Sequence, residues 1–140
     1  MSTALTIVRL SKLVEITLAD LGLTVNQYRM LTFVEEGSPS IREVGQRLAM
    51  KPPNVSTLVD GLVARGLITR SKDDADGRRW ELQLTAGGAN LLADAERRND
   101  QTLATVLAGH TDADALRSGL DRWEPVLDRL GTDLRASLQE

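Results

Sequence analysis

The chain has 140 residues, of which 41% are hydrophobic and 3% aromatic, with no cysteine, one histidine and a formal net charge of −3. This length predicts one domain that buries its own core, and the many Leu, Val and Ala residues favour packed helices over a β-sandwich. The composition excludes disulfides, thiolate nucleophiles and thiol switches, and it argues against a metal site made of clustered His and Cys.

The N-terminal region predicts a helix over residues 5–21 that is apolar on more than one face. Its main stripe, at helical spacing, consists of Ile7, Leu10, Val14, Leu18 and Leu21. Leu13 and Ile16 lie off this stripe. A helix this apolar is best buried between its own domain and a partner.

Two capping-box patterns predict the next two helices. Thr24 with Gln27 begins a helix that ends at Gly37. Ser40 with Glu43 begins a second, shorter helix. Both helices are therefore bounded by local signals.

Residues 51–67, KPPNVSTLVDGLVARGL, predict a helix with two contrasting faces, after a turn at residues 49–51. The apolar face consists of Val55, Leu58, Val59 and Leu62. Short side chains lie roughly opposite, at Pro53, Asn54, Thr57 and Ala64, with Ser56 beside them. Because these side chains are short, the helix can approach another surface closely, which suits a groove.

Residues 67–84 predict a β-hairpin, with a β-prone run at 67–70, a polar stretch at 71–79 and an alternating run at 80–84. The order helix, turn, helix, hairpin is that of a winged helix. In that fold the second helix enters the DNA major groove and the hairpin tip reaches towards the minor groove.

The C-terminal part predicts a long helix from residue 85 to about residue 107, and a last helix that begins near Thr111 or Asp112. We expect Pro125 to kink or divide that last helix. Its apolar stripe consists of Leu116, Leu120, Trp123, Leu127, Leu130 and Leu134. Trp80 and Trp123 are predicted to be packing residues and not stacking platforms.

The net charge is unevenly distributed along the chain. Residues 42–80 contain eight basic and five acidic residues, which gives +3 there and −6 in the remainder of the total of −3. A basic middle is what a phosphate-binding face predicts, because counterion release depends on the contact surface. A solvated surface crossed by salt bridges would give the same count.

The segment VSTLVDGLVARGLITRSKDDADGRRWELQLTAGG resembles the core of the MarR family of bacterial transcription regulators. That family pattern has a helix ending in Leu-x-x-x-Gly-Leu-Ile-x-Arg, a wing with Asp-x-Arg, and Leu-Thr before a long helix. The matching residues here are Leu62, Gly66, Leu67, Ile68, Arg70, Asp76, Arg78, Leu84 and Thr85. The usual proline after Leu-Thr is Ala86, followed by two glycines, so a less sharp helix start is expected.

The resemblance implies a mostly α fold with a small β-hairpin wing, a winged helix-turn-helix plus a helical dimerisation region. Residues 1–140 would form a single MarR-like domain, with the DNA-binding lobe at 24–85 and the dimerisation arm at 1–21 and 86–140. The expected function is transcriptional repression by a homodimer bound to a pseudo-palindromic operator on double-stranded DNA. The alternative is a winged-helix module that binds another protein without sequence-specific DNA binding.

The predicted contacts of the recognition helix are Lys51, Pro53, Asn54, Ser56 and Thr57. Asparagine can bond adenine bidentately, and the carbon atoms of proline and threonine can touch a thymine methyl group, whereas Lys51 is expected at a phosphate. Alternatively, Asn54 only completes the turn that precedes this helix and makes no contact with DNA.

Phosphate contacts are predicted for Ser40, Arg42, Arg47 and Arg70. Ser40 could instead serve only as a helix cap. In the wing, the resemblance implies that Asp76 orients Arg78 for the minor groove, with Arg79 able to share or exchange that role.

A small phenolic or aromatic ligand is expected at the junction of lobe and arm, by resemblance. Tyr28, Arg9 and Lys12 are candidates for its pocket, and the site is left unassigned. No enzyme activity and no cofactor are expected, since the chain has no phosphate-cradling glycine loop and no evident Ser-His-Asp set. No apolar run approaches the ~18 residues of a membrane span, so a cytoplasmic protein is expected.

Overall fold

The computed structural model describes residues 2–37, 40–72 and 80–137. Within these ranges the elements are α1 (Thr3–Ala19), α2 (Val25–Glu36), α3 (Ile41–Arg47), α4 (Pro52–Ala64), β1 (Ile68–Lys72), β2 (Trp80–Leu84), α5 (Ala86–Leu107), α6 (Ala113–Asp121) and α7 (Glu124–Ser137). The predicted mostly α fold with a hairpin after the helix-turn-helix is confirmed.

Both predicted capping boxes are present. At α2 the backbone N–H of Gln27 donates to Thr24 Oγ1 at 3.1 Å, and the Gln27 side chain accepts from the Thr24 backbone. Gly37 stands at the C-terminal cap of α2 with a φ of 137°, a conformation that favours glycine. A capping box therefore begins this helix and a glycine in an unusual backbone conformation ends it, as the sequence predicts.

The core lies where α2, α4, the hairpin and the first half of α5 meet. From the predicted apolar face of α4, Val55, Val59 and Leu62 are buried. Helix α2 buries Met30, Leu31, Phe33 and Val34. It contacts α1, α4, α5 and β2, so more than one of its faces is covered.

The hairpin is antiparallel and pairs Ile68 with Leu84 and Arg70 with Leu82. Ile68 and Leu82 are buried against the helices, whereas Thr69 and its partner Gln83, on the opposite face, are exposed. The sheet therefore has one face on the core, and its open end leads to residues 73–79, which lie outside the described ranges.

The long helix was expected to start less sharply because the usual proline is missing, and this expectation is wrong. Thr85 caps α5, since its Oγ1 accepts from the backbone N–H of Gly88 at 2.9 Å. The same hydroxyl donates to the carbonyl oxygen of Gly66 at 2.7 Å. A side-chain cap thus replaces the conformational restriction that a proline would supply.

Pro125 divides the C-terminal helix, as predicted. Helix α6 ends before Arg122 and Trp123, and Pro125 lies in the first turn of α7, where its missing N–H is harmless. Trp123 is 48% exposed, so the predicted packing role is not fulfilled within this chain. In the described ranges, no helix has both the length and the apolar composition needed to cross a membrane.

Candidate nucleic-acid interface

The N-terminal end of α4 presents short side chains on the side away from the core. Pro53, Asn54 and Thr57 are exposed, and Ser56 is half-buried. Lys51 immediately precedes the helix and is exposed as well. The structure therefore places these five residues together at one accessible helix end.

The Thr57 hydroxyl is engaged within its own helix. Its Oγ1 donates to the carbonyl oxygen of Pro53 at 3.0 Å. Because this bond uses the only hydroxyl proton, the methyl group and the oxygen lone pairs remain for an outside partner. A thymine methyl group is one base-edge group that a threonine methyl contacts.

Ser40 acts as the N-cap of α3. Its Oγ accepts from the backbone N–H of Glu43 at 3.2 Å, and its own N–H donates to Glu43 Oε2 at 2.7 Å. The capping role is therefore present. A phosphate bound at Ser40 would have to compete with the Glu43 carboxylate for the same N–H.

Arg42 and Arg47, both expected at phosphates, have different surroundings. Arg42 is exposed in the first turn of α3. The Arg47 guanidinium lies 3.0 Å from Glu36 Oε2 and 3.2 Å from Asp128 Oδ2. Burial opposes the charge on Arg47, but the hydrogen bond to Glu36 and the attraction of Asp128 outweigh it and raise its pKa. A phosphate contact at Arg47 would require both ion pairs to open, and the predicted contact stays a prediction.

The cluster around Arg47 was missed by the sequence reasoning. Its guanidinium carbon lies 3.8 Å from the centroid of the Phe33 ring, and Arg29 Nη2 donates to the Arg47 carbonyl oxygen at 2.7 Å. Burial lowers the pKa of Arg29, which Asp128 partly offsets. Asp128 is 81 residues from Arg47 along the chain, so no local pattern indicates their contact.

Arg70 connects the hairpin to the recognition helix. Its Nη1 lies 2.9 Å from Asp60 Oδ1, and the Asp60 side chain is 61% exposed. An exposed pair of this kind contributes about 0.2–1 kcal/mol to stability. The predicted phosphate contact of Arg70 would therefore share this guanidinium with Asp60.

The predicted wing contacts, Asp76, Arg78 and Arg79, lie outside the described residues. Their proposed approach to the minor groove stays a prediction. The strands that lead to them are described, and the last pair before the tip is Lys72 with Trp80.

Acidic residues crowd the contact between α2 and α5. Tyr28 is half-buried there; burial and the nearby Glu96 raise its pKa, and a hydrogen bond with Asn99 opposes them. Burial also raises the pKa of Glu96, and the charges of Glu35 and Asp100 add to this effect. The junction thus combines the Tyr28 phenol with Glu96, a carboxyl group whose pKa is raised by burial and by two neighbouring carboxylates.

The three effector candidates lie on two different helices, Tyr28 on α2 and Arg9 and Lys12 on α1. Arg9 and Lys12 are exposed on α1, where Lys12 pairs with Glu15 at 2.9 Å. Two open cavities of about 310 and 600 Å³ lie between α5 and α6, and Ala104 and Arg117 line both. Neither cavity is lined by Tyr28, Arg9 or Lys12. Among the side chains that the structure describes, no group of three or more His, Cys, Asp or Glu is placed to hold a metal ion.

Sequence comparison relates this surface to known regulators. Residues 21–79 match the model of the MarR family. The uncharacterized HTH-type transcriptional regulator Mb0904 of Mycobacterium bovis is 26% identical over 128 residues, which cover 89% of this chain and 90% of the relative.

Three solved structures resemble the fold over most of its length. A MarR family transcriptional regulator from Rhodococcus sp. RHA1 has a TM-score of 0.75 at 25% identity, covering 89% of this chain and 88% of that one. CouR from Rhodococcus jostii RHA1, bound to p-coumaroyl-CoA, has a TM-score of 0.72 at 25% identity, with coverages of 89% and 87%. An S. aureus MepR mutant bound to an oligodeoxyribonucleotide has a TM-score of 0.66 at 20% identity, with coverages of 89% and 94%, and is a likeness of fold alone.

Proposed function

We propose that this chain is a member of the MarR family of transcription regulators, which its similarities support, and that it binds an operator on double-stranded DNA as a homodimer and represses transcription. The observation that carries the proposal is the exposed N-terminal end of α4, where Pro53, Asn54 and Thr57 are accessible. This is the second helix of a helix-turn-helix, the element that enters the major groove in winged-helix proteins.

The base-reading surface is proposed to consist of Pro53, Asn54, Ser56 and Thr57, with Lys51 holding a phosphate at the helix start. Asn54 is suited to bidentate bonds with adenine, and the carbon atoms of Pro53 and Thr57 to a thymine methyl group. The short side chains support this assignment, because they let the helix backbone lie deep in the groove.

Phosphate contacts are proposed first for Arg42, which is exposed, and then for Ser40 and Arg70, which also make contacts within the protein. Arg47 would join them only after releasing Glu36 and Asp128. Such contacts fix the register of a protein on the duplex without reading its sequence. In the wing, Asp76 is proposed to orient Arg78, or Arg79 in its place, towards the minor groove.

The homodimer is proposed from apolar surface that the chain itself leaves uncovered. On α1 and on the segment from α6 to α7, the large exposed apolar residues include Leu5, Ile7, Val8, Ile16, Leu116, Trp123, Leu127 and Leu130. Large apolar side chains exposed in this number favour an interface, and a two-fold dimer is the commonest way for identical chains to cover them. Residues 1–21 and 86–140 would then form the dimerisation arm, and residues 24–85 the DNA-binding lobe.

Regulation is proposed to act on the spacing of the two recognition helices. A phenolic or other aromatic ligand between arm and lobe would favour one spacing, and only a difference in its affinity for the two spacings can shift the equilibrium. CouR, of similar fold, was solved with p-coumaroyl-CoA bound, which supports a ligand of this chemical class.

The test is selection of duplexes from a random-sequence pool by the purified protein, followed by gel-shift titration of the enriched duplex. We expect a pseudo-palindrome with half-sites about ten base pairs apart. Asn54→Ala should weaken binding by about 1–3 kcal/mol, the usual cost of losing a good bidentate base contact. Asn26→Ala is the matched control, because Asn26 is exposed in the first turn of α2.

Two results would count against this function. One is that no duplex is enriched even in dilute buffer, which would leave the protein-binding module as the better reading. The other is that the Asn54 and Asn26 variants bind equally well. Transcription in vitro from a promoter carrying the enriched site tests repression directly, since the protein should lower the transcript yield.

A further inference from the structure

Arg47 lies where three helices meet, two from the DNA-binding lobe and one from the C-terminal arm. Its guanidinium pairs with Glu36 at the end of α2 and with Asp128 in α7, at 3.0 and 3.2 Å. Its guanidinium carbon lies 3.8 Å from the centroid of the buried Phe33 ring. A planar guanidinium that is stacked on a ring and bonded to two carboxylates has its orientation set on three sides.

The same residue ends the helix that precedes the turn. Arg29 donates to the Arg47 carbonyl oxygen at 2.7 Å. Two residues further on, Ala49 has a φ of 52°, and the N–H of Met50 donates to the Gly45 carbonyl oxygen at 2.8 Å. The turn that sets the direction of α4 therefore begins at Arg47, the residue that is ion-paired with Asp128.

Helix α7 connects the C-terminal arm to the DNA-binding lobe through α3. Its principal contact with the rest of the chain is with α3, the short helix that Arg47 ends. Asp128 is half-buried in an arm whose neighbouring large apolar residues, Leu127 and Leu130, are exposed. The ion pair with Arg47 is therefore a specific connection between the two parts.

We propose that Asp128 is a positioning residue for DNA binding, which acts through Arg47 to hold the turn between α3 and α4, and so the recognition helix, in a fixed orientation relative to the C-terminal arm. In a dimer joined through that arm, this connection sets the placement of one recognition helix relative to the other. The inference rests on the proposed function for its consequence at DNA, but the connection itself is a property of the free protein.

The test compares Asp128→Asn with Asp133→Asn, which removes the same charge from an exposed position of the same helix. On the duplex enriched by the wild-type protein, Asp128→Asn should bind about two- to fivefold more weakly than Asp133→Asn, the range expected for one exposed ion pair. Asp128→Glu, which keeps the carboxylate, should recover most of the affinity.

A double-mutant cycle locates the effect at Arg47. In an Arg47→Gln background, Asp128→Asn should cause no further loss of affinity, because the pair is already broken. The slope of log affinity against log salt should be the same for Asp128→Asn and Asp133→Asn. The alternative is that the ion pair with Asp128 only prevents Arg47 from contacting a phosphate. In that case Asp128→Asn would bind DNA more tightly, and its log affinity would depend more steeply on log salt.

Hydrogen exchange supplies a measurement that needs no DNA. Amide exchange over residues 41–50 should be faster in Asp128→Asn than in Asp133→Asn, with both proteins folded by circular dichroism. Equal exchange in the two variants, equal affinity, or tighter binding by Asp128→Asn would each overturn the inference. If the wild-type protein enriches no duplex but the exchange difference is present, the function fails while the connection between arm and turn stands.

Discussion

A Cβ atom added to Gly88 would lie 1.9 Å from the carbonyl oxygen of Leu67. The start of α5 therefore approaches the chain just before β1 more closely than any side chain permits. The N–H of Thr85 donates to the same carbonyl oxygen at 3.1 Å, so the approach is hydrogen-bonded as well as tight. This contact joins the hairpin to the arm that follows it.

Gly88→Ala should lower the free energy of unfolding by about 1–3 kcal/mol, because the new methyl group can be accommodated only by moving backbone. Urea unfolding measures this change. Gly87→Ala is the control, since a Cβ there would meet its nearest atom, Thr85 Oγ1, at an ordinary 3.7 Å. Equal midpoints for the two variants would mean that the contact with Leu67 relaxes at no cost.

Thr57 should read DNA through its methyl group, because its hydroxyl proton is bonded to Pro53. Thr57→Ser should reduce the preference for thymine at one position of the enriched site by about 0.8 kcal/mol, the value of one buried CH₂-sized group. Thr57→Val keeps the methyl group and should keep the preference. Repeating the duplex selection with both variants measures this, and the opposite ranking would assign the contact to the hydroxyl.

Arg78→Ala should weaken binding on every duplex and lower the slope of log affinity against log salt by about one, as loss of a single electrostatic contact requires. Gel-shift titrations at several salt concentrations provide the slope. Arg129→Ala, at an exposed position of α7, is the charge-matched control. Unchanged affinity and slope for Arg78→Ala would remove the wing arginine from the interface.

Leu127→Glu should disrupt the dimer, since Leu127 is 61% exposed in the single chain and lies in the proposed dimerisation arm. A charge at the centre of an apolar interface is expected to raise the dimer dissociation constant by about tenfold or more. Sedimentation equilibrium measures it. Val63→Glu is the control, because Val63 is 38% exposed but belongs to α4. Equal dissociation constants for the two variants would place the interface elsewhere.

Glu96→Gln should stabilise the protein at neutral pH. Burial first, and then Glu35 and Asp100, raise the Glu96 pKa above its ordinary value of 4.5 in the folded chain. Because the pKa of Glu96 is higher in the folded protein than in the unfolded chain, the folded state binds this proton more tightly. The free energy of unfolding therefore falls as the pH rises from 4.5 through the pKa of the folded state. Thermal unfolding should therefore show a gain for Glu96→Gln at pH 7 that disappears below 4.5. Glu81→Gln, exposed on β2, is the charge-matched control, and an equal gain at pH 7 in both variants would contradict the prediction.

Local signals in the sequence were reliable guides to the elements and to the outward face of α4. The two capping boxes and Pro125 act within a few residues of themselves, so a single segment contains all the information they need. The exposed residues Pro53, Asn54 and Thr57 followed from helical period alone. The start of α5 was misjudged because the expectation rested on the missing proline and overlooked the local cap that Thr85 provides for the N–H of Gly88.

The amino-acid sequence by itself determined the capped starts of α2 and α3, the division at Pro125, the face of α4 that stays outward, and the resemblance to the MarR family. Only the tertiary structure decided that Arg47 is bound to two carboxylates and an aromatic ring, and that Gly88 has no space for a side chain. The physical reason is that caps and periodicity depend on neighbours a few positions away, whereas ion pairs and close packing depend on residues that meet after the chain has folded.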